Sequence, residues 1–236
     1  MKKLHIITFS FLFVAAAAIA QPGARTDVKK NMDKQLVYFG HGWGSAKWNS
    51  ALSQTSLYDR QGIVVETGTF NFKATSPYTS WDGGVLFPFG RVRAGLGLSF
   101  EKYILSTITL QNTSAPLIFD ESFRFDVIYG QFELPLFPEA RSGVSASLNL
   151  RVGYFNFTGV QRINLFGNDN PSNNWMINFS PVVDYCIWGN FFVYAQPQAG
   201  IKIFSSEAVD PGGTVKHTIF SYSLQAGLRF DPSKER

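Results

Sequence analysis

Between Val144 and Tyr154 the chain alternates without a break. Val144, Ala146, Leu148, Leu150, Val152 and Tyr154 are apolar or aromatic, and the intervening Ser145, Ser147, Asn149, Arg151 and Gly153 are polar or small. Successive side chains of a strand point to opposite faces, so this period of two gives one extended strand two faces suited to two opposite solvents. Four further segments repeat it. Val92, Ala94, Leu96, Leu98 and Phe100 oppose Arg93, Gly95, Gly97, Ser99 and Glu101. Trp175, Ile177, Phe179, Val183, Tyr185 and Ile187 oppose Asn178, Ser180 and Asp184. Phe191, Val193, Ala195, Ala199, Ile201 and Ile203 oppose Tyr194, Gln196, Gln198 and Lys202. Phe220, Tyr222, Leu224, Ala226, Leu228 and Phe230 oppose Ser221, Ser223, Gln225 and Arg229.

These segments are long enough to cross a bilayer as tilted strands, which need about 9–11 residues each. After Gln21 no apolar run reaches the roughly 18 residues of a membrane helix, and no stretch sustains a 3.6-residue period. Residues 123–136 also alternate. There Phe123, Phe125, Val127 and Tyr129 are out of phase with Phe132, Leu134 and Leu136, which predicts a bulge near Gly130–Gln131 and places Arg124, Asp126 and Glu133 on the polar face. Connections alternate in length: short ones at Phe89–Arg91, Phe137–Ser142 and Trp188–Asn190, long polar ones at about 107–120, 158–173 and 204–215. Outer-membrane barrels have short periplasmic turns and longer external loops, so the long connections are expected outside the cell. Two aromatic girdles are expected, with Phe89, Phe137, Trp188, Phe191 and Phe230 beside the short turns and Phe123, Tyr154, Trp175, Phe204 and Phe220 towards the loops.

In the first third, strands are expected at 35–46, 50–58, 62–73 and 80–89, with Asp59-Arg60-Gln61-Gly62 as a turn. Added to the six later strands these make ten, an even number that leaves both ends periplasmic; eight is the alternative. Pro181 and Pro197 fall inside strands of a barrel without edges. They are expected opposite one another at a local bulge or gap. The expected fold is therefore all-β, an antiparallel transmembrane β-barrel over residues 35–231. A signal peptide (1–20) and a polar N-terminal segment (21–34) precede it, and a polar tail (232–236) follows. The signal peptide rests on Lys2 and Lys3, the apolar run Ile6–Ala17 and the small residues Ala18 and Ala20 before Gln21.

Over about residues 35–231 the chain resembles the small outer-membrane β-barrel proteins as a broad class. Its final strand, ending Leu228-Arg229-Phe230, is similar to the terminal aromatic strand by which the barrel-assembly machinery recognises them, with Asp231–Arg236 added after it. The resemblance implies export, residence in the cell outer membrane, and contact with outer-membrane lipid, lipopolysaccharide and that machinery.

The remaining signals are weaker. A formal charge of +4, including Lys2 and Lys3, with basic residues gathered at the two ends, gives no indication of nucleic acid. Cys186 is the one cysteine, which excludes an internal disulfide and reads as a small packed residue. His41 and His217 stand in no metal spacing, so no metal, cofactor or catalytic residue is expected. His217 shares an inward face with Ser221 and Ser223 near the external rim. A catalytic role there would need an orienting carboxylate such as Glu101 or Asp126. Gly40-His41-Gly42-Trp43-Gly44 lacks the helix of a nucleotide loop and suits curvature or close packing. Gly167-Asn168-Asp169-Asn170 reads as a polar turn.

Arg93, Glu101, Arg124, Asp126, Glu133, Arg151, Asp184, Lys202 and Arg229 are all expected to point into the lumen. In a barrel of eight to ten strands that lumen is narrow, and isolated buried charges are costly, so they are expected to pair and hold it shut. The resulting expectation is a monomeric, mostly closed barrel with a structural, adhesion or ligand-binding role. Its rivals are a narrow small-solute channel, a lipid-modifying enzyme, and a soluble β-sandwich or lipocalin-like binder in which the two faces would be inverted.

Overall fold

The computed structural model describes residues 35–58, 64–110, 117–136, 143–159, 172–207 and 214–232. Eight antiparallel strands follow one another: β1 (Leu36–Tyr58), β2 (Val64–Phe89), β3 (Val92–Leu110), β4 (Leu117–Pro135), β5 (Val144–Gly159), β6 (Ser172–Trp188), β7 (Phe191–Glu207) and β8 (Thr214–Phe230). Each pairs with its sequence neighbours, and β1 pairs with β8 from Val37↔Phe230 to Ser53↔Thr214, so the sheet closes into a barrel. The ladders run Phe39↔Gly83↔Leu98↔Ile128↔Tyr154↔Trp175↔Ile203↔Thr218↔Asn49, so one circuit from Phe39 returns to β1 ten residues further on. That stagger tilts the strands, and at eight strands the interior is just wide enough for side chains to fill.

The count of ten strands is corrected to eight. The strands expected at 35–46 and 50–58 merge into the single strand β1 (Leu36–Tyr58), and those expected at 62–73 and 80–89 into β2 (Val64–Phe89). The apparent break at 47–49 is not one, because Ala46, Trp48 and Ser50 continue the buried, inward series begun by Leu36 and Tyr38 while Lys47 and Asn49 face out. The apparent break near Pro77 is a register shift in the β2–β3 ladder between Ala74 and Tyr78. Proline lacks the ladder donor, and the Ser76 hydroxyl donates instead to the Ile104 carbonyl at 2.8 Å.

A second correction concerns β4. Its ladders with β3 and β5 run without a shift through Gly130 and Gln131, so the expected bulge does not form. Phe123, Phe125, Val127, Tyr129, Gln131 and Glu133 all face inward, and Arg124 and Asp126 lie on the outer wall, with side chains 56% and 34% exposed. The strand changes the chemistry of its inner face, from aromatic above to polar below, and keeps its phase.

On the other strands the facing assigned from alternation holds: Leu96, Ile177, Phe179, Leu224 and Leu228 are exposed, and Ser99, Asn149, Ser180 and Gln225 are buried. Phe179↔Ala199 and Val183↔Ala195 keep one register across a gap in the β6–β7 ladder, which places Pro181 opposite Pro197 there. The two-residue turns Gly90–Arg91 and Gly189–Asn190 start on glycines at φ +62° and +52°, the left-handed region that tight hairpins require. At the other end the strands run further than expected, so the three long connections shrink to 111–116, 160–171 and 208–213. The expected signal peptide and 21–34 segment, the Asp59–Gly62 turn, the Gly167–Asn170 loop and residues 233–236 lie outside the described residues.

Candidate functional site

The lumen is filled in layers. Nearest the short turns, Arg93 on β3 and Arg229 on β8 share Glu133 of β4, at 3.1 and 3.0 Å. Arg229 also reaches Asp184 of β6 at 3.3 Å, and Arg93 reaches Asp231 at 2.6 Å. This chain of five charges ties four strands to the residue after the last one. Glu133 and Arg229 are essentially inaccessible, so their pairing offsets a desolvation cost that either would carry alone.

Mid-lumen, Arg151 of β5 meets Asp82 of β2 through two nitrogens, at 3.1 and 3.2 Å. Tyr129 donates to the same carboxylate at 2.8 Å, and Tyr38 donates to the Gln131 carbonyl oxygen at 2.6 Å. The Arg151 Nε reaches that same oxygen at 3.2 Å, and its other nitrogens reach the carbonyl oxygens of Gln225 and Gln196 at 3.4 Å. Its guanidinium lies 4.8 Å from the centre of the Tyr129 ring. A fixed planar fork suits such a hub, because each donor has a defined direction.

Glycines on the inner face make room for the tyrosines. A Cβ on Gly97 would strike the Tyr129 ring, one on Gly84 the Tyr38 hydroxyl, and those on Gly40 and Gly227 Tyr194. Close packing, one of the two roles expected for the Gly40–Gly44 run, is thus what its first glycine provides.

One level further up, Lys202 of β7 pairs with Glu101 of β3 at 2.8 Å, and Tyr103 donates to the same carboxylate. Above that lies an aromatic plug of Trp48, Phe123, Phe125, Phe155 and Phe204, with Phe125 edge-on to Tyr103 and Phe155, each at 5.1 Å between centroids. His217 is buried at its margin, stacked 4.3 Å from Phe204, and its Nδ1 hydrogen-bonds the Ser50 hydroxyl at 2.7 Å. A cavity of about 10 Å³ remains between the hub and the plug, lined by Tyr78, Ser80, Asp82, Glu101, Tyr129, Arg151 and neighbours, roughly the room of one water.

Seven of the nine charges expected in the lumen are therefore there: Arg93, Glu101, Glu133, Arg151, Asp184, Lys202 and Arg229. Arg124 and Asp126 are not; they pair with each other at 2.7 Å on the outer wall. Asp126 therefore does not orient His217, and Glu101 is held by Lys202 and Tyr103. Ser221 and Ser223 share the inward face of His217 as expected. Cys186 lies beside the β6–β7 turn, its sulfur 3.5 Å from the Gly189 carbonyl. Among the described residues no group of three or more His, Cys, Asp or Glu side chains could hold a metal ion.

The sequence reading missed Asp82, the partner of Arg151, together with Tyr38, Gln131 and the plug. The girdles are corrected as well. Phe89, Trp188, Phe191, Phe230, Tyr154, Trp175 and Phe220 are on the outer wall, but Phe123 and Phe204 belong to the plug, and Phe137 lies outside the described residues. Phe39, Trp43, Trp81, Phe100, Phe179, Tyr185 and Tyr222 are further exposed aromatics of the outer wall. The signal for Asp82 was available in Ser76, Tyr78, Ser80 and Asp82 at period two, obscured by the gap left between the strands expected at 62–73 and 80–89.

No protein-family model matches the chain, and no curated protein sequence does. Solved structures similar to the chain include three bacterial outer-membrane or surface proteins. The outer membrane protease OmpT of Escherichia coli shares 9% identity over 84% of this chain and 97% of that one, with a TM-score of 0.41. The outer membrane protein OprG of Pseudomonas aeruginosa shares 10% over 84% and 95%, with a TM-score of 0.47. Neisserial surface protein A shares 15% over 82% and 96%, with a TM-score of 0.39.

Proposed function

We propose that the protein is a closed transmembrane β-barrel of a bacterial outer membrane, a rigid wall-spanning support whose loop end carries a structural, adhesion or ligand-binding role. The observation that carries this reading is the inversion of its two faces. Leu96, Ile128, Phe39, Leu228 and Tyr185 are more than half exposed on the outside, while Arg151, Arg229, Lys202 and Glu133 are buried inside. A soluble barrel buries its apolar face, so the arrangement suits a barrel whose outer solvent is hydrocarbon and whose sheet, closed on itself, presents no open strand edge to it.

The layered lumen supports closure over conduction, and no residue of the rim is assigned a catalytic role. Two measurements test this. Membrane fractions should release the protein only with detergent, and planar bilayers containing it should show no large, stable currents. Extraction by salt or alkali alone would reject the membrane reading, and steady large currents would establish the channel instead.

A further inference from the structure

Five basic side chains stand exposed on the outer wall at the loop end: Lys216 on β8, Lys47 on β1, Lys73 on β2, Lys102 on β3 and Arg124 on β4. They occupy consecutive strands of the closed sheet. Lys102 and Arg124 are direct partners in the β3–β4 ladder, where side chains on one face lie about 4.5–5.5 Å apart at Cβ and like charges destabilise the pair. Lys47 lies opposite Thr75, so Lys73 is its diagonal neighbour on β2. Against these cations Asp126 is the one carboxylate on the outer wall among the described side chains. It is engaged by Arg124 at 2.7 Å, which leaves Lys102 facing a cation already paired.

The placement of this arc is informative. On three of the five strands the cation stands on the loop side of an exposed aromatic on the same face: Trp43 precedes Lys47 on β1, Phe100 precedes Lys102 on β3, and Phe220 precedes Lys216 towards the loops on β8. The Arg124 guanidinium covers the Phe100 ring at 5.1 Å. Amphipathic rings mark the level where hydrocarbon meets headgroups, so the cations lie one step further out, at the depth of headgroup phosphates. At the opposite end, beside the aromatics Phe89, Trp188, Phe191 and Phe230, Arg91 in the β2–β3 turn is the one exposed lysine or arginine among the described side chains, against five at the loop end.

We infer that this arc binds the phosphate groups of an anionic lipid headgroup in the leaflet on the loop side, with Lys102 and Arg124, the directly opposed pair at its β3–β4 end, as the main contact. The inference rests on the membrane-spanning reading and adds to it a lipid class and a side. A phosphate between Lys102 and Arg124 removes the like-charge repulsion that the sheet register otherwise imposes, and lysine and arginine supply the donors that phosphate oxygens accept.

The test compares the full chain with Lys102→Gln/Arg124→Gln in phosphatidylcholine vesicles with or without diphosphorylated lipid A. In phosphatidylcholine alone both proteins should insert and unfold at about the same urea concentration. Adding the phosphorylated lipid should raise the midpoint of the parent and leave the variant nearly unmoved. Lipid A retained through purification in an uncharged detergent should fall on the order of tenfold in the variant. Equal retention by the two proteins overturns the site, as does an identical shift from inorganic phosphate alone, which would make the ligand a free anion. Failure of the parent to insert into phosphatidylcholine defeats the membrane reading itself, and with it the site, before any charged lipid is present.

Discussion

Arg151 shows how much can depend on one side chain in a lumen this narrow. Its guanidinium holds Asp82, Gln131, Gln196 and Gln225 in one network, so truncation strands a buried carboxylate and several amides together. Arg151→Met should lower the unfolding free energy in detergent or lipid by about 3–5 kcal/mol, the range for breaking one partner out of a buried pair. Asp82→Asn in the same background should recover part of it, because the uncompensated charge is then gone. Urea titrations of the two variants and the double variant check this, and additive losses would show that the two groups are not coupled. On the outer face, Leu148 and Ala195 lie within apolar runs that face out, away from either strand end. Arginine at either should cost about 2–4 kcal/mol in lipid if that level is the bilayer midplane, whereas Asn149→Leu disturbs only the lumen. If Leu148→Arg folded as stably as its parent, the facing would have to be reversed.

At the scale of elements, the strands are held in register by complementary shapes as well as by ladders. Gly97 on β3 and Gly153 on β5 flank Tyr129 on β4; the Tyr129 ring occupies the space that Gly97 leaves, and Gly153 gives room to the backbone of β4 and the Tyr129 Cβ. Gly97→Val should therefore force Tyr129 away from Asp82 and destabilise the barrel by roughly 1–3 kcal/mol, the usual cost of overpacking. Combining it with Tyr129→Ala, which vacates the space, should reduce that penalty. Folding yield and denaturation midpoints of the three proteins measure it, and no relief in the double variant would mean that the backbone of β3, not the ring, resists the added side chain. The gap at Pro181 and Pro197 shows the converse, a sheet interior tolerating lost donors because the flanking pairs Phe179↔Ala199 and Val183↔Ala195 retain their register.

For the whole molecule, closure comes from the ionic layers and the aromatic plug in series. Opening one leaves the other, so single substitutions should separate stability from conductance. Arg151→Ala should destabilise the barrel while its planar-bilayer conductance stays near the baseline, because Trp48, Phe125 and Phe155 still fill the lumen above. A steady conductance on removing Arg151 alone would assign closure to the hub and none to the plug.

Alternation along the sequence determined the class of fold and the facing of β3, β5, β6, β7 and β8, because a strand with one face in hydrocarbon must write that period into its residues. It also determined most of the charged lumen, since in a narrow interior Arg93, Glu133, Asp184 and Arg229 must find partners across it, as they do, with Asp231 added from beyond the last strand. Tertiary structure decided what alternation cannot carry. Once β1 and β2 extend past the apolar band, their inward and outward residues no longer differ in polarity. Lys47 and Pro77 therefore read as breaks, and the count came out as ten. On β4, Phe123 and Phe125 are as apolar as any outward residue. Only the closed barrel, which brings them against Trp48, Phe155 and Phe204 from other strands, makes the lumen the drier place for them and leaves Arg124 and Asp126 outside. The partner of Arg151 was likewise a matter of register around the whole circuit, which sets Asp82 across the lumen from a strand that does not pair with its own in the sheet.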